Sequence, residues 1–229
     1  MSIYAIADVH LSHTVEKPME IFGSAWEDHT RRLADNWRQT VTDDDLVLIP
    51  GDISWAMQLE DAKEDLAFLN ALPGEKLLLR GNHDYWWSSY TKVKQLLPKS
   101  IGAIQNNAVV RGNLAIGGTR GWTSPNSAAF SPDDRKIYER ELGRLRLSLA
   151  AMPEGCEKLV MLHYPPLDDK LADTPFTRLL EEYGVCDVVY GHLHGPAHHA
   201  SFSGVHHGIR YHFAAADYLS FCPLLIRQE

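Results

Sequence analysis

A chain of 229 residues, 45% hydrophobic and 23% charged, can bury one large core and has the charge density of a soluble globular protein. Its formal charge of −8 serves polyanions such as duplex DNA poorly, because nonspecific affinity comes from basic groups that neutralise phosphates. No apolar run approaches the roughly 20 residues that a bilayer span needs, which argues against a membrane partner.

Ser2 to Ala7 reads as a buried strand, entered with no basic-then-apolar leader, so a cytoplasmic location is expected. Residues 12 to 24, with Pro18 and Gly23, read as loop. From Ala25 to Thr40 the residues Trp26, His29, Leu33 and Trp37 recur at spacings of three and four, which predicts an amphipathic helix. Asp43-Asp44-Asp45 reads as a solvated turn before the strand Leu46 to Ile49. Leu59, Ala62, Leu66 and Leu69 predict a second helix, stopped by Pro73-Gly74, and Lys76 to Leu79 a third strand. A short helix to Leu97 follows, then short strands between residues 101 and 118. Tyr138, Leu142, Leu145 and Leu149 line one face of a further helix. Lys158 to Leu162 is a strand, Phe176 to Tyr183 a helix and Val185 to Tyr190 a strand, and alternating segments fill the tail from His199. Strands alternating with helices, then strands alone, predict an α/β fold with a mixed sheet or two stacked sheets, in one domain over residues 1–229. Cys156, Cys186 and Cys222 lack the paired short spacing of a zinc site and are expected to stay reduced.

Five of the strand-like runs end in metal-ligand chemistry. Asp8 and His10 follow the first, Gly51-Asp52 the second and Arg80-Gly81-Asn82-His83-Asp84 the third; His163 and Gly191-His192-Leu193-His194 follow two later ones. Aspartate, asparagine and histidine form a mixed oxygen and nitrogen set that suits Mn, Fe, Zn, Co or Ni better than Ca. The seven candidate ligands Asp8, His10, Asp52, Asn82, His163, His192 and His194 are too many for one ordinary ion and about right for two that share a carboxylate. Any single piece is weak, but the ordered set is not.

This ordered set resembles the full signature of the calcineurin-like metallophosphoesterases, from residue 8 to residue 194 with no motif member missing. The resemblance implies two stacked mixed β-sheets flanked by helices, with a dinuclear site at the strand ends. It assigns one divalent ion to Asp8, His10, Asp52 and His194 and the other to Asp52, Asn82, His163 and His192, with Asp52 bridging and manganese the first choice of metal. It also implies phosphoester hydrolysis, in which a metal-bridging hydroxide attacks phosphorus in line. His83, the motif residue not expected to ligate, would donate to the leaving oxygen, work worth about 10²–10⁴ in rate. Asp84 would act with it by holding its other ring nitrogen and fixing the tautomer.

Protein Ser/Thr phosphatases of this superfamily extend the second motif to an arginine that binds phosphate. Here it reads Gly51-Asp52-Ile53-Ser54-Trp55-Ala56-Met57, so the expected substrate is a small-molecule phosphomonoester or phosphodiester, nucleotides included, rather than a phosphoprotein. A nuclease, a protein phosphatase and a non-catalytic metal-binding scaffold are the alternatives. His13, Trp55, Trp86 and Tyr164 lie within a few residues of a ligand and are candidates for a substrate rim, where aromatic faces could stack a base. The remaining histidines, His198 to His212, receive no role.

Overall fold

The apolar runs form two sheets stacked face to face. The computed structural model describes residues 1–228. In the first sheet β1 (Ser2–Ala5), β2 (Leu46–Pro50), β3 (Glu75–Leu79) and β4 (Ile101–Ile104) run parallel. The second is built on β6 (Leu114–Thr119), β7 (Glu157–Leu162), β8 (Asp187–Tyr190) and β10 (Ile209–Phe213), again parallel. Antiparallel strands close three edges: β11 (Leu224–Gln228) beside β1, β5 (Ala108–Arg111) beside β6 and β9 (Gly204–His206) beside β10.

Alternation of side chains along each strand sorts the core into layers. Leu77 and Leu79 of β3 meet Leu159 and Met161 of β7 between the sheets. Leu78 faces the other way, onto Leu33 and Trp37 of α1 (His29–Thr40) and Leu66 and Leu69 of α2 (Lys63–Asn70). On the far side Val160 and Val188 pack with residues of α4 (Pro132–Ala150) and α5 (Pro175–Glu182). A strand buried on both faces must be apolar throughout, which is why these runs read as continuous rather than alternating. Each fully buried Leu or Val side chain contributes about 1.5–3 kcal/mol.

Several boundaries differ from the sequence expectation, the start of α2 at Lys63 rather than Leu59 among them. The strands expected over residues 101–118 divide between the sheets: β4 joins the first, while β5 and β6 form a hairpin in the second, after a turn in which Asn107 Oδ1 accepts from Gln105 N at 2.9 Å. The first long helix starts at His29, not Ala25, because Ser24–Trp26 forms a 3₁₀ turn and Asp28 is left-handed at φ 51°, a conformation Asp tolerates better than most residues. That break turns the Trp26 ring edge-on to His10 and His194. The short helix α3 (Tyr90–Leu96) falls where expected. Of the three acids before β2, Asp45 is buried and accepts from Ser2 N at 2.7 Å and Thr42 N at 2.9 Å, so one member of that turn is structural.

Parallel strands bring their carboxyl ends to one side, and ligands of open α/β sheets gather there. At the opposite end Asp187 joins the two sheets. Its carboxylate, inaccessible to solvent, accepts from Arg210 Nε at 2.7 Å, His212 Nε2 at 2.9 Å and Arg227 Nε at 2.7 Å, and Arg227 belongs to β11 of the other sheet. Burial opposes its charge, but the hydrogen bonds from His212, Arg210 and Arg227 outweigh it and hold the carboxyl well below the usual carboxylate range. A depressed pKa stabilises the fold fully above the unfolded value of about 3.9 and ceases to do so as the pH falls toward the folded value. Asp187→Asn is therefore expected to cost about 1–3 kcal/mol at pH 7. Thermal melts of both proteins should converge only below about pH 4, as the pH falls from the unfolded value toward the depressed folded one, the window in which the wild-type carboxylate loses this advantage. A gap that stays constant across that range would show that its charge contributes nothing. Among the described residues, no helix is long and apolar enough to cross a membrane.

Candidate active site

All seven candidate ligands lie at the carboxyl ends of β1, β2, β3, β7 and β8. Four of them, Asp8, His10, Asp52 and His192, have positive φ, at 60°, 46°, 52° and 76°. Left-handed backbone at a non-glycine residue costs of order 1 kcal/mol or more and gathers at functional sites. Here it turns each chain sharply past its strand and brings the side chains together. Two adjacent glycines make the approach possible. A Cβ on Gly81 would collide with the carboxylate and backbone of Asp52, and one on Gly191 with the carboxylate of Asp8.

The carboxylates each have one oxygen tied to backbone and one left over. Asp8 Oδ2 accepts from His192 N at 2.9 Å, while Asp8 Oδ1 is buried with no hydrogen-bond partner. Asp52 Oδ1 accepts from His83 N at 2.8 Å, and its Oδ2 lies 3.8 Å from His10 Nε2 and 3.5 Å from His163 Nε2. Burial pushes the pKa of both acids up, most strongly for Asp8, where the neighbouring Asp52 charge adds to the effect. Two buried carboxylates facing one point are stable as anions only beside positive charge.

The imidazoles follow the same plan. His163 Nδ1 lies 3.1 Å from Pro50 O, to which it can donate, and this directs Nε2 inward. Nε2 then lies 2.6 Å from Asn82 Oδ1 and 3.2 Å from His192 Nδ1, itself 3.0 Å from the same amide oxygen. His194 Nδ1 is held by Asp217 Oδ1 at 3.0 Å, leaving its Nε2 3.4 Å from His10 Nε2 and 3.8 Å from Asp8 Oδ1. Burial lowers the pKa of His10, His163 and His192 well below the ordinary value, which keeps those rings neutral, the form that ligates metal. For His194 burial acts in the same direction, but the Asp217 hydrogen bond and the Asp8 charge overcome it and raise the pKa to about 9. Ligand atoms of Asp8, His10 and His194 all lie within 4.8 Å of one another, as do those of Asp8, Asp52 and His163. Side-chain donor atoms converge here from two sides, the outer nitrogens of His163 and His194 are already bonded, and a buried Asp8 oxygen has nothing else to bind. Divalent cations fit this donor set.

His83 is half-buried at the edge of the cluster, its ring 4.6 Å from that of Trp55 and its Nδ1 buried without a hydrogen-bond partner. The expectation that Asp84 holds that nitrogen is corrected. Its fully buried carboxylate instead accepts from Ile53 N at 2.8 Å, Ser54 N at 3.1 Å, Gly81 N at 2.7 Å and Trp86 Nε1 at 3.0 Å. Asp84 thus pins the loop of Asp52 to the loop of Asn82 and His83. Burial, helped by the Asp52 charge, pushes its pKa up to about 6.

The rim expectation divides. Trp55 stacks on His10, with ring centroids 4.9 Å apart, and lines the neighbouring cavity. Tyr164 is buried and lies against His192 at 3.9 Å between ring centroids. Trp86 is no rim residue: it is 1% exposed because its indole N–H serves Asp84. His13 is exposed but is held by Asp65, which accepts from its backbone N at 3.0 Å and meets its Nδ1 at 2.6 Å, and its ring packs on Phe68. Both corrections have one cause, a buried or nearby carboxylate that claims the polar edge of the ring. Asp217 escaped the sequence reading. It follows the apolar run Phe213-Ala214-Ala215-Ala216, the same pattern of an acid after a strand that marked Asp8 and Asp52, and that was the signal available. A second group lies elsewhere: Asp173 Oδ1 is 2.7 Å from His206 Nε2 and its Oδ2 3.2 Å from His207 Nε2.

Residues 1–196 match the family model described as calcineurin-like phosphoesterase. The chain belongs to the calcineurin-like phosphoesterase family. Asp217 lies beyond the matched stretch of this family member. A curated relative, an uncharacterized protein of Methanocaldococcus jannaschii, is 31% identical over 93 residues, 40% of this chain and 52% of that protein. The chain thus aligns with about half the length of that relative. Among solved structures, the phosphopantetheinyl hydrolase of Mycobacterium tuberculosis is similar over 100% of this chain and 96% of its own, with a TM-score of 0.62 and 12% identity, a likeness of fold. A protein of unknown function from Aquifex aeolicus aligns over 98% of this chain and 95% of its own at 16% identity, with a TM-score of 0.49.

Proposed function

We propose that this calcineurin-like phosphoesterase is a metal-dependent hydrolase of small-molecule phosphomonoesters or phosphodiesters. The observation that carries the reading is the unpartnered, buried Asp8 Oδ1, 3.7 Å from His163 Nδ1 and 3.8 Å from His194 Nε2, in one cluster with Asp52 Oδ2, which lies 3.8 Å from His10 Nε2 and 3.5 Å from His163 Nε2. Asp8, His10, Asp52 and His194 would hold one divalent cation and Asp52, Asn82, His163 and His192 a second. Manganese is the first candidate for both. Such cations would supply Lewis acidity toward phosphate oxygens and lower the pKa of water at the site.

The protein's own groups do the rest. The Pro50 carbonyl keeps His163 in the tautomer whose inner nitrogen carries the lone pair, and Asp217 fixes the His194 ring so that its inner nitrogen would face a cation that displaces its proton. His83 reaches the cavity beside the cluster, where it can donate a proton or hydrogen bond to a leaving oxygen. Asp84 acts as a positioning residue, through the two loops that it joins.

Protein stripped of metal and reloaded with Mn is expected to hydrolyse p-nitrophenyl phosphate or its bis ester only after reloading. The diester-to-monoester ratio then distinguishes phosphodiesterase from phosphatase. Turnover that survives stripping to below stoichiometric metal would overturn the reading. Gly81→Ala supplies a second check, since its methyl group would displace the Asp52 carboxylate. A shift of about 1 Å at a reacting centre costs about 10²-fold, so kcat should fall by that order, and kcat unchanged would show that Asp52 need not sit where it does.

A further inference from the structure

The cluster opens on one side into a cavity of about 710 Å³, to which His10, His83 and His194 contribute a wall. Pockets that enclose small-molecule ligands run from roughly 300 to 1,000 Å³, so there is room for far more than a phosphoryl group. Most of the rest of the lining is apolar. Trp26 and Trp55, which pack directly on His10, form the floor, and Met19 lies beside them. Phe22, Met57 and Tyr85 form the lip, and they are 59%, 56% and 52% exposed. Ile21, next to Phe22, is 68% exposed. Large apolar side chains gathered at one mouth and left in water mark a surface that binds something apolar.

Groups that would recognise a polar ligand are few. Away from the histidines, the charged side chains of the lining are Glu16 and Lys17, and the Lys17 ammonium sits over the Trp55 ring, 4.5 Å from its centroid. A polyphosphate needs several cations, and Lys17 is the one lysine or arginine in this lining; for the edges of a nucleobase the side chains away from the histidines offer little beyond Glu16, Lys17 and the Tyr85 hydroxyl.

Resting on the phosphoesterase reading above, we propose that the substrate is an amphipathic phosphoester, whose phosphoryl group binds at the histidine and aspartate cluster while a hydrocarbon portion of lipid-like character fills this cavity. The continuity of the cavity with His83 assigns that portion to the side of the ester on which His83 acts. Each methylene taken from water into such a lining is worth about 0.8 kcal/mol, about fourfold in affinity.

The test uses n-alkylphosphonates of two, four, six and eight carbons, which mimic the phosphoester and are not hydrolysed, titrated into Mn-loaded protein by calorimetry. Affinity is expected to rise about two- to fourfold per methylene, and octylphosphonate should bind far more tightly than adenosine monophosphate. In Phe22→Asp and Met57→Asp, both exposed positions at which the fold should tolerate the change, the octyl-to-ethyl affinity ratio should fall at least about tenfold. Affinity independent of chain length, or adenosine monophosphate as the tightest ligand, would overturn the proposal even where p-nitrophenyl phosphate is turned over. Steep chain-length dependence in a protein that hydrolyses no phosphoester would instead uphold the cavity and overturn the reaction.

Discussion

Asp52→Asn is expected to abolish phosphoester hydrolysis, by about 10³-fold or more in kcat/KM, and to lower bound metal from two equivalents to one or fewer. Asp52 is the carboxylate nearest both halves of the cluster, with Oδ2 3.8 Å from His10 Nε2 and 3.5 Å from His163 Nε2. Asparagine preserves its volume and an acceptor for His83 N but removes the negative charge that would be shared by two cations. The stability of the metal-free protein should move the other way. Burial raises the Asp52 pKa, so at neutral pH its ionised form is a net burden on the folded state, and the neutral amide relieves it. The metal-free variant should therefore melt at or above the wild-type temperature. Metal analysis by mass spectrometry, paired with thermal melts, separates this outcome from simple misfolding. A variant that keeps two tightly held metals would sink the bridging role.

His83→Ala should leave metal content intact and lower kcat by about 10²–10⁴. The contact that orders Asp52 is made by the backbone N–H of residue 83, at 2.8 Å, so truncating the ring leaves that carboxylate in place. What is lost is the imidazole facing the cavity, whose Nδ1 has no hydrogen-bond partner. If it donates to the leaving oxygen, the loss should be greatest for alkyl esters, whose alkoxide leaves poorly, and smallest for p-nitrophenyl esters, whose anion leaves unaided. Equal losses for both ester classes would remove the donor role, and loss of metal would make His83 a ligand instead.

Much of the site is legible in the sequence because local rules generate it. A buried parallel strand must be apolar, its neighbours end beside it, and polar residues directly after the run have nowhere to lie except the common edge. That reasoning recovers Asp8, Asp52, Asn82, His163 and His192 without knowledge of which strand pairs with which. It would have recovered Asp217 as well, had the run through Ala216 been read in the same way.

What lies behind that edge is not legible locally. Trp55 and Trp86 look alike in sequence, yet one lines the cavity and the other is sealed against Asp84. The partners of Asp84 are 31 and 30 residues away at Ile53 and Ser54, and Asp217 reaches His194 across 23 residues. The apolar cavity itself is assembled from four separated stretches, around Met19, Trp55, Tyr85 and Pro196.

The sequence alone therefore determined the layered α/β class and the set of ligand-type residues at the strand ends, since periodicity and strand polarity are properties of the local chain. The tertiary structure decided which carboxylate binds which donor, which aromatic rings face the cleft and what the cleft is lined with. Those outcomes depend on burial and on hydrogen bonds between segments far apart in the chain, for which no local pattern selects.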